Sequence, residues 1–194
     1  MESDRIKWNR RFGSEPSYLG ACASPFLQHE IEMIKRLAPG KRALDIACGE
    51  GRNSLFLARH GFETTGLDIS DMGIEKAERL ARRLGVSIRF LRVDLDGYHI
   101  AEQYDVILNF NFLLRDLIPE QVNALTPGGL LLFDTIRESP ELLVSHNPAY
   151  LLRHGELELI FSAYDGDMLF SKESREGEMP TARLLFRKRQ SASA

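Results

Sequence analysis

The residues that invite a chemical reading lie in ALDIACGEGRN, positions 43–53, where an apolar run carries Asp45 and then passes through Gly49 and Gly51. Glycines so spaced let a backbone approach a ligand closely. They also serve ordinary tight turns, and the full dinucleotide fingerprint is missing because position 54 is serine. The surrounding charge narrows the choice. A diphosphate seeks helix N-terminal amides without nearby carboxylates, whereas Asp45 stands on the approach and Glu50 within the loop. A phosphate-free zwitterion suits the loop better, since an acidic strand end holds an ammonium directly or through water.

Two further carboxylates extend the pattern. Asp68 closes the next strand-like run, GLDIS, where an acidic residue accepts hydrogen bonds from both hydroxyls of a ribose. RVDLD offers Asp94 to an adenine amino group and the backbone amide of Leu95 to a ring nitrogen. Singly, such carboxylates more often cap helices or sit in loops. Jointly, at the carboxyl ends of adjacent parallel strands, they open on one crevice. Adenosine joined to an ammonium, a carboxylate and a sulfonium is S-adenosylmethionine, and that cofactor, with S-adenosylhomocysteine as its product, is the expected ligand.

The elements that must position these residues follow from hydrophobic periodicity. Residues 1–38 hold no strand-like run; Ile31, Ile34, Leu37 and Ala38 fall at helical spacing and stop at Pro39-Gly40, so a helical extension precedes the core. From Lys41, short apolar runs alternate with amphipathic helices, the mark of βαβ units. RALDIA (42–47) predicts a first strand, and a helix near Gly51 carries Leu55, Leu57 and Ala58 to Gly61. FETTGLDI predicts a second strand, followed by a helix capped at Ser70-Asp71 with Ile74, Ala77, Leu80, Ala81 and Leu84 as its stripe and Gly85 as its stop. VSIRFLRVDL, YDVILNF and GLLLFDTI predict three more strands, buried on both faces, the last preceded by a helix over 115–126 and a turn at Pro127-Gly128-Gly129. Beyond Glu138 the pattern predicts a short helix near Tyr150-Leu151-Leu152, a strand near ELELIFSAY and a last strand TARLLFRKR, the two strands forming a hairpin; the SASA tail is expected to fray.

A chain of 194 residues suits one α/β domain and not two: a single domain over 1–194, with 1–38 as the helical N-terminal extension or lid and 41–189 as the core. A net charge of −3 exerts no pull toward a polyanion, so nucleic acid is not expected as a partner. The basic run Arg183, Arg187, Lys188, Arg189 reads as a charged exposed edge or terminus. MESDRIKWNRRFGSEPSYLG lacks the apolar core of a signal peptide, and no later run approaches the length of a membrane span, so a cytoplasmic location is expected, without membrane. Cys22 and Cys48 form no C-x-x-C pair and the five histidines show no ligand spacing, so no metal is expected.

These motifs resemble the class I S-adenosylmethionine-dependent methyltransferases: DIACGEGRN is similar to their first motif, and GLDIS, VDLD, YDVILNF and LTPGGLLLFD to later ones, over about residues 40–136. The resemblance implies an α/β fold, a Rossmann-like doubly wound, mostly parallel seven-stranded sheet in three αβα layers. Its antiparallel last strand, TARLLFRKR here, is inserted between the fifth and sixth. GRNSLFLARHGF, WNRRF and RHGELE resemble the small-molecule branch with the tellurite-resistance and thiopurine enzymes. By that resemblance Asp45, Gly49 and Gly51 hold the methionine part, Arg52 approaches its carboxylate, Asp68 takes the ribose, Asp94 and Leu95 the adenine, and Asn109 flanks the methyl group; Ala47, Asn53 and Ile69 complete the cofactor contacts. The chain departs from the tellurite-resistance pattern at LFSKESREG (169–177), where a His-Arg pair is implied, which weighs against tellurite.

The expected activity is methyl transfer to a small-molecule nucleophile, a thiol, a selenium or tellurium oxyanion or similar. Methyl transfer is an in-line displacement that asks chiefly for alignment, and an acceptor that arrives deprotonated needs no catalytic base. NFNF (109–112) lacks the prolines with which DNA amino-methyltransferases grip a flipped base, and no cysteine lies there for cytosine-carbon chemistry. Trp8, Phe12, Tyr18 and Phe26 are candidates for a lid, Phe110 and Phe112 for an acceptor pocket, against core packing for each. Two alternatives stay open: a non-catalytic S-adenosylmethionine-binding sensor or partner subunit, and an NAD-linked oxidoreductase. The sequence fits a monomer or a homodimer.

Overall fold

The computed structural model describes residues 2–13, 17, 18, 20–174 and 179–190; the SASA tail, expected to fray, lies outside the described residues. Two helices, α1 (Glu2–Phe12) and α2 (Pro25–Leu37), precede β1 (Arg42–Ile46). Then come α3 (Arg52–Arg59), β2 (Glu63–Asp68), α4 (Asp71–Leu84) and β3 (Arg89–Arg92). The chain continues through β4 (Tyr104–Phe110), α5 (Ile118–Asn123), β5 (Leu125–Ile136), α6 (Pro140–Ser145), α7 (Glu156–Ser162), β6 (Gly166–Glu173) and β7 (Thr181–Lys188).

The sheet has seven strands in the order β3-β2-β1-β4-β5-β7-β6. Strands β1 to β5 pair in parallel, and β7 runs antiparallel to both β5 and β6. The antiparallel last strand thus lies between the fifth and sixth, as the resemblance implies. Alternating side chains build the two helical layers. Val106, Leu108, Leu130, Leu132 and Leu185 pack with Phe26, Leu27, Ile31 and Ile34 of α2 and Leu57 of α3. Ile107, Leu131, Phe133, Leu184 and Phe186 pack with Ile118 and Val122 of α5 and Leu157 and Phe161 of α7. Burial of this order supplies the main driving force for folding.

Several expectations need correction. ELELIFSAY is not a strand: Glu156, Leu157 and Phe161 are buried on one side of α7, while Leu159 is 73% exposed. The E-L-E-L alternation imitates a strand, but burial follows the helical period. The hairpin to β7 exists, with β6 (GDMLFSKE) as its first arm. Strand β3 is four residues long and lies at the sheet edge, exposed or half-buried throughout rather than covered on both faces. Leu84 lies outside the buried stripe of α4. The helix expected over 115–126 is a 3₁₀ turn (Arg115–Leu117) followed by the short α5. Pro127-Gly128-Gly129 lies inside β5 as an irregularity, where pairing skips from Leu125 opposite Tyr104 to Leu130 opposite Val106. Near Tyr150 there is only a 3₁₀ turn, Pro148–Tyr150, and α6 was not foreseen. The basic run is no free edge, because β7 is an interior strand. Among the described residues no helix is long and apolar enough to cross a membrane.

Candidate functional site

The glycine loop leaves β1 through Ala47, whose φ of 52° is uncommon for a residue with a side chain, and continues through Gly49 (56°) and Gly51 (76°) into α3. A second non-glycine residue with positive φ, Asn111 (55°), follows β4, the strand beside β1. Both outliers mark the carboxyl crest of the sheet, and strain held there costs folding energy that a site can use.

The loop is fastened to β2. Cys48 N donates to Leu67 O at 2.9 Å, and Gly49 N donates to Asp68 Oδ2 at 2.7 Å. Ser70 N donates to Asp68 Oδ1 at 2.8 Å. Each carboxylate oxygen has lone-pair capacity for a second donor. Burial pushes Asp68 above the usual carboxylate range, against the pull of the Ser70 and Gly49 amides. Asp45 is more deeply enclosed, 1% exposed, and accepts from Ser54 Oγ at 2.6 Å. Burial pushes its carboxyl up to about 7, with the Ser54 hydrogen bonds opposing and the Asp68 charge adding. Burial also pushes the Cys48 thiol well up, which argues against a nucleophilic role.

The remaining candidates divide. Ile69 is half-buried beside Asp68. Asp94 is exposed and accepts from Asp96 N at 3.2 Å; Leu95 is buried. Asn109 is fully buried, its Nδ2 donating to Gln121 Oε1 at 3.2 Å, and its Oδ1 has no hydrogen-bond partner among the described residues. Arg52 opens α3 and donates to the Cys22 carbonyl at 3.4 Å. Asn53 Oδ1 accepts from Ser24 N at 2.9 Å and so ties α2 to α3. Glu50 turns away from the crevice to Lys76 Nζ at 3.1 Å and Tyr18 N at 2.9 Å, and also accepts from Ser17.

Trp8, Phe12 and Tyr18 form one aromatic group, with Trp8 stacked on Phe12 at 5.4 Å and Tyr18 edge-on to both. Phe12 presses on the loop: a Cβ at Gly49 would stand 3.0 Å from its Cζ, and one at Gly73 would stand 3.1 Å from its Cδ2. These glycines are needed for this close packing whatever else they do. Phe26 and Phe110 are buried in the core, stacked at 6.1 Å; Phe112 is half-buried against the α5 layer.

Further functional candidates were not singled out from sequence. Asn9 Oδ1 accepts from Ser70 Oγ at 2.7 Å and Met72 N at 3.2 Å, docking α1 on the start of α4. A cavity of about 390 Å³ opens at the crest between α2, α3 and strands β5 to β7, with Arg52, Asn111, Asp134, Lys172 and Arg183 in its wall. The basic run was the one sequence signal for Arg183.

Residues 24–164 match the family described as tellurite resistance protein TehB. A probable S-adenosyl-L-methionine-dependent methyltransferase TehB of Haemophilus influenzae is 32% identical over 92 residues, 46% of this chain and 32% of that protein. This chain therefore spans about a third of the length of that curated relative. The crystal structure of TehB from Haemophilus influenzae superposes with a TM-score of 0.69 at 23% identity, covering 84% of this chain and 62% of the other. A structure solved for the conversion of a disulfide bond into a thioacetal group during echinomycin biosynthesis superposes with a TM-score of 0.73 at 20% identity, covering 98% and 94%. At these identities the superpositions establish the fold alone.

Proposed function

The chain belongs to the tellurite resistance protein TehB family, and from that premise we propose that it is an S-adenosylmethionine-dependent methyltransferase acting on a small-molecule nucleophile. The carrying observation is the meeting of Asp45, Gly49 and Asp68 at the carboxyl ends of the paired strands β1 and β2, with Gly49 N 2.7 Å from Asp68 Oδ2. Such a crevice beside a glycine loop is where α/β sheets take ligands. The donor set fits the cofactor: buried carboxylates, raised by burial, gain from a cation nearby.

When bound, S-adenosylmethionine supplies a methyl group already activated for displacement. In this reading Asp68 accepts from the ribose hydroxyls, with Ile69 beside it. Asp94 and the Leu95 amide take the adenine edge. Asp45 acts beneath the loop on the ammonium, through the Ala47–Gly51 backbone and its Ser54 partner. Arg52 faces the carboxylate, with Asn53 behind it, and Asn109 lies under the methyl position. Trp8, Phe12 and Tyr18 exclude water from the loop side. None of the described residues at the crest is a histidine poised as a base, and a thiol or another readily ionised acceptor asks for none.

Calorimetry with S-adenosylmethionine, S-adenosylhomocysteine and NADH tests this reading. Saturable binding of the first two is expected; saturable binding of NADH alone reverses it in favour of an oxidoreductase. Asp68→Ala should weaken cofactor binding by about 1–3 kcal/mol through loss of charge-assisted hydrogen bonds. A radiolabelled-methyl screen over thiols, selenite, tellurite and small phenols then tests turnover. Tight cofactor binding with persistent failure of transfer across chemically diverse acceptors favours the sensor reading.

A further inference from the structure

The cavity at the crest lies beside the cofactor loop and carries a charge pattern of its own. Asp134, Arg183 and Lys172 are register partners on three neighbouring strands: Asp134 of β5 lies opposite Arg183 of β7, and Arg183 opposite Lys172 of β6. They form one cross-strand row, which arises because β7 runs antiparallel and brings its first residues to the crest where β5 and β6 end. Cross-strand neighbours of this kind interact directly. The row faces α2, since the Arg183 guanidinium lies 5.9 Å from the Phe26 ring centroid.

Among the described residues of the cavity wall, Asp134 is the one carboxylate, beside Arg52, Lys172 and Arg183. Arg183 Nε forms an ion pair with Asp134 Oδ2 at 3.3 Å; burial raises the Asp134 carboxyl, and this pair pulls it down. The Asp134 carboxylate engages Arg183 through Nε, and the Arg183 side chain is 38% exposed, so the rest of its guanidinium can meet an anionic ligand. The described wall of the cavity thus carries more cationic than anionic side chains, and Arg52 links it to the glycine loop.

Size separates the candidate anions. A cavity of about 390 Å³ is far larger than a bare oxyanion, since one water occupies roughly 30 Å³ of liquid, and it falls within the usual range for organic ligands. Pro25 and Met179 add apolar wall. We propose that the methyl acceptor is an organic anion whose charged group is held by Arg183 and Lys172, with its body against Pro25 and Met179. This rests on the methyltransferase reading above and adds the substrate class.

The test uses the full chain saturated with S-adenosylhomocysteine, so that no turnover intervenes, and titrates benzoate, benzamide and selenite by calorimetry and ligand-observed NMR. Benzoate should bind at least about tenfold more tightly than neutral benzamide and than selenite. Arg183→Met and Lys172→Met should each erode that preference, and Arg183→Lys should retain part of it. The S-adenosylhomocysteine titration of each variant reports folding and an intact cofactor site. Equal affinity for benzoate and benzamide, no binding of either, or tighter binding of selenite overturns the organic-anion assignment while leaving the methyltransferase reading intact. A preference unchanged in both methionine variants overturns the assignment of Arg183 and Lys172. Failure of S-adenosylhomocysteine to bind the unaltered chain strikes the methyltransferase reading itself, and this proposal with it.

Discussion

Asp45 is the residue on which the electrostatics of the crevice turn. Enclosure raises its carboxyl to about 7, so in the ligand-free protein near neutrality a proton competes with any cation for the same group. A ligand that needs the carboxylate must displace that proton below pH 7 and meets a ready anion above it. Cofactor affinity should therefore increase between about pH 6 and pH 8, by up to tenfold per unit on the acid side, as titrations across that range would show. Asp45→Asn keeps an acceptor for Ser54 Oγ while removing the charge; it should bind more weakly at pH 8 and lose the dependence near 7. The α-amino group of the cofactor titrates near 8, and the Asp45→Asn variant separates that contribution because it retains it. A wild-type profile no steeper than the variant's would uncouple Asp45 from the ligand. From sequence, the identity and crest position of Asp45 and Asp68 could be read, because both follow from a strand meeting a glycine turn. The depth of Asp45 and its pairing with Ser54 could not, because they depend on how the following helix packs over the strand.

At the scale of elements, α1 and α4 are joined by a contact that neither shows alone. Ser70 caps α4 by accepting from Gly73 N at 3.1 Å, while its hydroxyl donates to Asn9; Arg5 pairs with Asp71 at 2.7 Å. Only Phe12 of α1 is buried, so the helix is held by one aromatic anchor and a polar latch. Elements with few buried contacts open at low free energy. Asn9→Ala should leave global stability within about 1 kcal/mol, speed hydrogen exchange over the described part of α1 and accelerate cofactor release. Ser70→Ala should instead lower global stability by about 1 kcal/mol, since it removes a helix cap as well. Unaltered exchange and release in the Asn9→Ala variant would make α1 a fixed layer and not a lid. Legibility divides in the same way. The run from β1 to α4 was readable because local signals, the Ser70 cap and the left-handed Gly85, agree with the tertiary structure. ELELIFSAY misled because its local alternation is overruled from a distance: Arg115 grips Glu156 at 2.7 Å and the carbonyls of Ala149 and Leu151, fixing the start of α7 against the core. The basic run of β7 looked like an edge because charge alone does not report strand order, whereas the family resemblance places TARLLFRKR inside the sheet.

For the whole molecule, the buried carboxylates set a stability profile opposite to that of a protein held together by exposed ion pairs. Asp45, Asp68 and Asp134 all lie above their ordinary values, burial being the first cause in each. A group raised on folding contributes stability that is complete below its unfolded value, 3.8 here, and is lost as pH rises through its folded value, about 7 for Asp45. Glu156 has the contrary sign: its pairing with Arg115 holds it at about 2 against an ordinary 4.5, so its contribution is present above 4.5 and lost only in strong acid. The two trends place the greatest stability of the ligand-free chain at about pH 4–4.5, with the melting temperature falling from there as Asp45 ionises, still falling from pH 6, and levelling above about pH 7. Cofactor binding inverts the slope, because a cation beside Asp45 makes ionisation favourable; the increase in melting temperature at saturating S-adenosylhomocysteine should be larger at pH 8 than at pH 6. Scanning calorimetry with and without ligand at the two pH values gives all four numbers. A ligand-free melting temperature that climbs from pH 6 to pH 8 would mean that the crest carboxylates are already ionised and compensated by the protein, leaving no unmet charge for a cationic cofactor to offset.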